Sequence, residues 1–303
     1  MKTLYFDCFS GISGDMVIGA LLDAGADPTV LENELKKLHI DEEYELKWKK
    51  VVKNGITSTK FDVLLTKNSH HHEHDHHHEH SHHHEHDHHH EHSHHHEHDH
   101  HHEHSHHHEH DHHHEHSHHR EHDHHHEHSH HHDHHHRTYQ DIVKMIEAAG
   151  FSDQVKGTAL KIFKRIGEAE GHIHGIPLEK VHFHEVGAVD SIIDIVGAAI
   201  LIHQLEINVM KSSPVAVGTG RIHIDHGIYP VPAPATLEIL KGVPIQQSDI
   251  KAELATPTGA AIVSVLAEEF CTIPSMKIKS IGYGAGTKSF KNHPNVLRVI
   301  IGE

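Results

Sequence analysis

TLYFDCFSGISGDMVIGALLDA, residues 3–24, decides how the rest of the chain is read. Thr3 to Phe9 is a short apolar run suited to a buried strand, and Gly11 to Gly14 is a turn. From Asp15 to Ala24, Met16, Ala20 and Leu21 recur at helical spacing. A strand, a tight glycine turn and a helix in this order form the opening unit of an α/β fold. Outward from it, Pro28 to Leu38 predicts a second helix. Glu43 to Lys53 and Ile56 to Thr66 are extended runs joined at Asn54-Gly55, a strong hairpin signal. Beyond residue 137, Thr138 with Asp141 predicts a capped helix to Ala149, and Ser152 opens another to about Glu170. Val181 to Glu185 is expected as a strand, Asp190 to Leu205 as a helix and Val209 to Gly218 as a strand. Tyr229 to Pro234 reads as a rigid connection, and Ala235 to Lys241 and Pro257 to Glu269 as helices. Met276 to Tyr283 and Asn295 to Ile301 complete the pattern as strands around a Gly284-Ala285-Gly286 turn. The expected class is α/β in a mixed α+β arrangement, one globular domain made of residues 1–68 and 137–303; two lobes divided near residue 137 are the alternative.

Between these parts lies a segment of another kind. The chain has 303 residues and 54 histidines, and 45 of the histidines fall in residues 70–136 among Glu, Asp, Ser and Arg120 alone. From Ser69 the unit SHHHEHDHHHEH repeats with period 12. Without apolar side chains such a segment cannot offset an ordering cost of roughly 1–2 kcal/mol per residue, so residues 69–136 are expected to be a disordered metal-binding insertion. As a free coil its ends would stand on the order of 45 Å apart unless the flanking fold pins them closer. Neutral imidazole suits Ni, Cu, Zn and Co, and acidification near pH 6.5 should expel the metal. Affinity alone would favour copper, so availability decides which ion is held. The plainer alternative is a solubilising spacer.

Counted without the tract, about 45 % of the remaining residues are apolar, ordinary for a folded domain. The tract carries −15 of the formal −18, so the folded part is nearly neutral and has no basic excess for a nucleic-acid backbone. Cys8 and Cys271 are too few for a disulfide scaffold. No signal-peptide core opens the sequence, and the apolar run Ile192–Ile202 is too short to span a bilayer. A cytoplasmic protein without nucleic-acid or membrane partners is expected, and a homo-oligomer is compatible with the sequence.

Three constellations carry chemistry. In VHFHE, residues 181–185, a strand period puts His182 and His184 on one face. Asp190 and Asp194 follow at i and i+4 of a helix, so the four form a divalent-metal or acid/base site; helix capping and satisfied histidines are the alternative. In GTGRIHIDHG, residues 218–227, His223, Asp225 and His226 are ligand-type side chains and Arg221 can grip a phosphate or carboxylate; a polar surface hairpin is the alternative. Ser10, Gly11, Ser13 and Gly14, between a strand end and a helix start, fit a phosphate cradle, though the lysine of a P-loop is missing. Asp7 with Asp15 could instead hold a hydrated metal, and Cys8 reads as a small buried thiol before a soft-metal ligand.

Taken together, DCFSGISGDM (7–16), VHFHEVGAVDSIIDIVGA (181–198), GTGRIHIDHGIYPVPAPAT (218–236), ELATPTGAA (253–261) and GYGAGT (282–287) resemble the LarC family. These are nickel insertion proteins that complete the nickel-pincer nucleotide cofactor of lactate racemase and related enzymes. The resemblance implies that Ni(II) enters pyridinium-3,5-bisthiocarboxylic acid mononucleotide with formation of Ni–S and Ni–C bonds in a CTP-dependent process. It also implies a C-terminal domain that binds CTP with Mn(II) or Mg(II). Since the sequence stops soon after Arg298, that domain is expected as a separate polypeptide. Forming a carbon–metal bond requires loss of a ring proton, for which His184 or Glu185 is the expected base. The tract would gather nickel, and His182, His184, Asp190 and Asp194 would relay it. Two other classes compete: a non-catalytic nickel store or metallochaperone, and a metal-dependent hydrolase built on His182 and His184.

Overall fold

Leu4, Tyr5 and Phe6 are almost wholly buried, and the strand they form lies inside a large sheet with a partner on each side. The computed structural model describes residues 1–66, 137–183, 189–224 and 227–303; the tract and its expected disorder lie outside them. In chain order the elements are β1 (Thr3–Asp7), α1 (Gly14–Asp23), α2 (Pro28–Leu35), β2 (Tyr44–Lys53), β3 (Ile56–Leu65), α3 (Tyr139–Ala148), α4 (Asp153–His174), α5 (Val189–Gln204), β4 (Val209–Ser212), β5 (Val215–Ala216), β6 (Arg221–Ile224), β7 (Gly227–Pro230), α6 (Pro234–Ile239), β8 (Ile245–Gln246), α7 (Pro257–Leu266), β9 (Glu269–Phe270), β10 (Ile278–Ala285) and β11 (Val296–Gly302). The main sheet runs β2-β3-β10-β11-β1-β4-β9. β1 is antiparallel to β11, with Tyr5 opposite Ile300, and parallel to β4. This is a mixed α/β architecture, and strands from both sides of the tract share one sheet. No helix of the described residues is long and apolar enough to cross a membrane.

Local chemistry accounts for most boundaries. Asn54 and Gly55 both take positive φ, 47° and 84°, which a two-residue hairpin turn between β2 and β3 requires. A reciprocal capping box of Thr138 and Asp141 starts α3, and Ser152 caps α4 by accepting the Val155 N–H. The apolar helix α5 packs against α1, α2, α4 and α7, so its hydrophobic residues find partners around the helix.

Four expectations are corrected. Gly284 and Ala285 belong to β10, because the backbone of α1 lies directly on them: a Cβ on Gly284 would stand 1.8 Å from the Met16 carbonyl oxygen, and one on Gly282 2.0 Å from that of Ala20. Val181 to Phe183 is not a strand. Its backbone is used locally, Val181 N–H donating to Leu178 and its carbonyl accepting from Tyr139, and His182 makes only an isolated bridge to Thr138. Pro214, which has no N–H, separates β4 from β5, and β5 pairs with β8 in a second small sheet. The helix expected to reach Glu269 stops at Leu266, since Glu269 and Phe270 pair with β4.

The chain leaves for the tract and returns from it at one residue. Thr66 donates its N–H to the Glu43 carbonyl at 2.9 Å, and Arg137 forms an ion pair with the Glu43 carboxylate. The flanking fold therefore pins the two ends far closer than a free coil would hold them.

Candidate active-site cleft

Between β1 and α1 the loop is locked to the segment before α7. Ile12 N–H donates to Leu254 O at 2.9 Å and Thr256 N–H to Ile12 O at 3.1 Å. Gly11, at φ 85°, lies so close that a Cβ would reach within 2.0 Å of the Leu254 carbonyl oxygen. This clamp sets the first residues of α1 beside those of α7, and the start of α5 joins them. Ser13, Gly14 and Asp15 from α1, Asp190, Ser191 and Asp194 from α5, and Thr256, Pro257 and Thr258 from α7 line one cleft of about 390 Å³. Lys60 to Val63 of β3, with Glu253 and Thr287, complete it. Three helix N-termini, each a positive dipole end whose first N–H groups have no partner within the helix backbone, thus face a common space.

Its charges are interlinked. Lys60 is buried on β3, and its ammonium donates to Asp15 at 2.7 Å, Asp62 at 2.8 Å and the Phe61 carbonyl at 2.8 Å. Burial works against the Lys60 charge, but the two carboxylates outweigh it and raise the pKa. Asp15 also accepts from the Ser13 hydroxyl. Gly14 makes room for Asp194: a Cβ there would lie 2.4 Å from Asp194 Oδ2. The Asp194 carboxyl is pushed well above the usual range, first by burial and then by the charges of Asp15 and Asp190; Lys60 and the Asp15 N–H offset this in part. Asp194 Oδ1 is buried with no hydrogen-bond partner among the described residues.

The sequence-derived groups are rearranged here. Ser13, Gly14, Asp190 and Asp194, read as parts of two separate sites, meet in the cleft. Ser10 is buried elsewhere, its hydroxyl 2.9 Å from His293 Nε2, and Gly11 N–H is used by the Cys8 carbonyl. Asp7 forms an ion pair with Arg298, and the Cys8 thiol is pushed up to about 12 by burial. His182 is exposed beside Asp141 and does not line the cleft. Arg221 and His223 occupy exposed positions of the β6–β7 hairpin. His184, Glu185, Asp225 and His226 lie outside the described residues. Among the described residues no three His, Cys, Asp or Glu side chains are placed to hold a metal ion. Lys60 and Asp62 were missed by motif reading, and Glu253 and Thr256, within the ELATPTGAA stretch, had no role assigned. The signal for the first two was a lysine and an aspartate alternating within an otherwise uncharged strand.

A family model described as "Nickel insertion protein" matches residues 4–303. A pyridinium-3,5-bisthiocarboxylic acid mononucleotide nickel insertion protein of Geobacillus kaustophilus is 46% identical over 306 residues, covering 100% of this chain and 60% of that protein. Proteins of the same name from Clostridium kluyveri and Staphylococcus epidermidis are 44% and 42% identical; they cover 100% and 99% of this chain, and 62% and 59% of their own lengths are matched. The chain spans about three fifths of the length of these curated relatives. No solved structure matches it. With the match running from the first strand to the last, the chain belongs to the nickel insertion protein family.

Proposed function

We propose that this chain is the nickel-receiving and nucleotide-holding part of an insertion enzyme that places Ni(II) in pyridinium-3,5-bisthiocarboxylic acid mononucleotide. CTP, with Mn(II) or Mg(II), is bound by the part of the relatives that this chain does not match. The carrying observation is the cleft where three helix N-termini meet Asp194, whose inner oxygen has no partner among the described residues. Helix N-termini suit an anionic nucleotide, and the carboxylates suit the incoming cation. The soft donors nickel prefers are the substrate's own thiocarboxylates, so an oxygen-rich cleft needs only to present the ion while the sulfurs take it. Asp190 and Asp194 are the proposed docking ligands. His184 or Glu185, on the segment leading into α5, is the proposed base for the ring proton, with His182 earlier on the relay. Ser13 and Gly14 are the proposed phosphate contacts. His223, Asp225 and His226, with Arg221, are the proposed second acceptor group.

The histidine tract is the proposed nickel reservoir. In sequence it follows shortly after Val63, which lines the cleft. Such a tether raises the effective nickel concentration at the cleft without any new contact. Removal of residues 70–136 is therefore expected to leave nickel transfer intact when metal is plentiful and to reduce it about tenfold or more at limiting nickel. Loss at all nickel concentrations would make the folded part a mere docking unit of a store. The decisive assay combines the chain, nickel, CTP and the dithiocarboxylate nucleotide, with and without the CTP-binding part of a relative. Product formed only with both parts is expected, and product formed without this chain would end the proposal.

A further inference from the structure

We propose that Lys60 is the residue on which the cleft receives the anionic group of its pyridinium nucleotide, with Asp62 the carboxylate that gives way. This deepens, and rests on, the reading of the cleft as the nucleotide site. Among the described lining residues Lys60 is the one cation, set against Asp15, Asp62, Asp190, Asp194 and Glu253. A mononucleotide bearing a phosphate and two thiocarboxylates would be repelled from such a surface unless a cation met it. Lys60 cannot simply add a fourth partner, since its three N–H donors are already used by Asp15, Asp62 and the Phe61 carbonyl. One partner must leave.

The structure distinguishes the two carboxylates. Asp15 is anchored twice, by Lys60 and by the Ser13 hydroxyl, and sits in the first turn of α1. Asp62 is the more exposed, its side chain 37% accessible against 24% for Asp15, and its ion pair among the described residues is with Lys60. It also has somewhere to go. Asp62 lines a neighbouring hollow with Lys47, Trp48 and Lys49, and Lys47 stands directly across the β2–β3 ladder from it. An opposite-charge pair across two strands is a favourable arrangement, so Asp62 released from Lys60 has Lys47 to meet, sharing its exposed ammonium with Glu45, which stands 3.3 Å from it. The anion exchanges for Asp62 at an ammonium whose position Asp15 continues to fix.

The test measures binding of nicotinic acid mononucleotide to the full chain by equilibrium dialysis, with chelator present and at pH 8, where the tract imidazoles are neutral. Lys60→Met is expected to weaken binding about tenfold or more, and Lys60→Arg to restore much of it. Asp62→Asn, which removes the competitor, is expected to tighten binding severalfold. Nicotinamide mononucleotide, which keeps the phosphate, and nicotinic acid riboside, which keeps the carboxylate, separate the two anionic groups. The one whose binding responds to Lys60 is the group received there. Equal losses in Lys60→Met and Asp62→Asn, or no change in either, would overturn the exchange and leave Lys60 as a brace for α1, while the cleft remained a nucleotide site. Absence of binding of all three probes to the unmodified chain would overturn the cleft reading as well.

Discussion

Gly284→Ala is expected to destabilise the chain by about 3 kcal/mol or more, near the upper end of what overpacking a core produces. The added methyl would sit 1.8 Å from the Met16 carbonyl oxygen and 2.7 Å from the Ala20 amide nitrogen. Both are backbone atoms of α1, so no side chain can rotate aside and the helix must lift from β10 or the strand must bow. Asp23 resists such movement at the far end of α1, accepting from the Thr59 hydroxyl and the Tyr283 N–H at 2.8 Å each. Lifting α1 also moves Ser13, Gly14 and Asp15, so the cleft should open even in molecules that remain folded. Gly157→Ala is the control. It lies in α4 with open space around the added methyl and no positive φ, and should stabilise by about 0.5–1 kcal/mol through helix propensity. Urea midpoints of the two variants should therefore shift in opposite directions. A Gly284→Ala shift no larger than that of an exposed-site substitution would mean that α1 does not rest on this strand.

That pair of glycines also shows where sequence reading stops. The motif GAG at 284–286 looks like a turn because glycine is the residue of turns, yet Gly284, like Gly282 in the strand before it, is a glycine because a helix from the other end of the chain lies against it. Nothing within five residues reveals that. What short-range chemistry dictates was legible: the strand and helix at 3–24, the Asn54-Gly55 hairpin, the Thr138–Asp141 capping box and the serine before α4. Strand order was not, since β10 lies between β3 and β11 through pairings set by the whole core. The cleft was half legible for the same reason. Helical periodicity correctly put Asp190 and Asp194 on one face, and chain direction put Ser13 and Gly14 at a helix start. Their meeting, and the presence of Lys60 between Asp15 and Asp62, depend on the loop at Gly11 being clamped to Leu254. His182 was read as a strand residue on the same face as His184; the local hydrogen bonds of Val181 turn the chain, and His182 emerges beside Asp141.

Asp194→Asn is expected to be more stable than the unmodified chain at neutral pH and to lose about two orders of magnitude of insertion activity. The sign follows from linkage. Burial, and then the negative charges of Asp15 and Asp190, hold the Asp194 carboxyl well above the usual carboxylate range in the folded protein. The unfolded chain has the ordinary value, so between the two the folded state keeps a proton that the unfolded state has released. Stability then falls as pH rises through that window. Below the unfolded pKa the penalty is absent, and above the folded one it is complete. An uncharged Asn escapes it, so the advantage of the variant should vanish near pH 4 and grow as pH rises. Urea unfolding of both proteins across pH 4 to 8 measures the difference directly. An Asp194→Asn variant that is less stable at every pH would mean that the carboxylate is ionised and fully partnered in the native fold. One that is more stable and still inserts nickel at the normal rate would remove Asp194 from the machinery. The expected combination, a stabilised and inactive protein, is what a site kept at the expense of folding should give: a carboxyl group buried with an oxygen that has no partner among the described residues, in a space Gly14 leaves open for it, suits a position that a ligand completes.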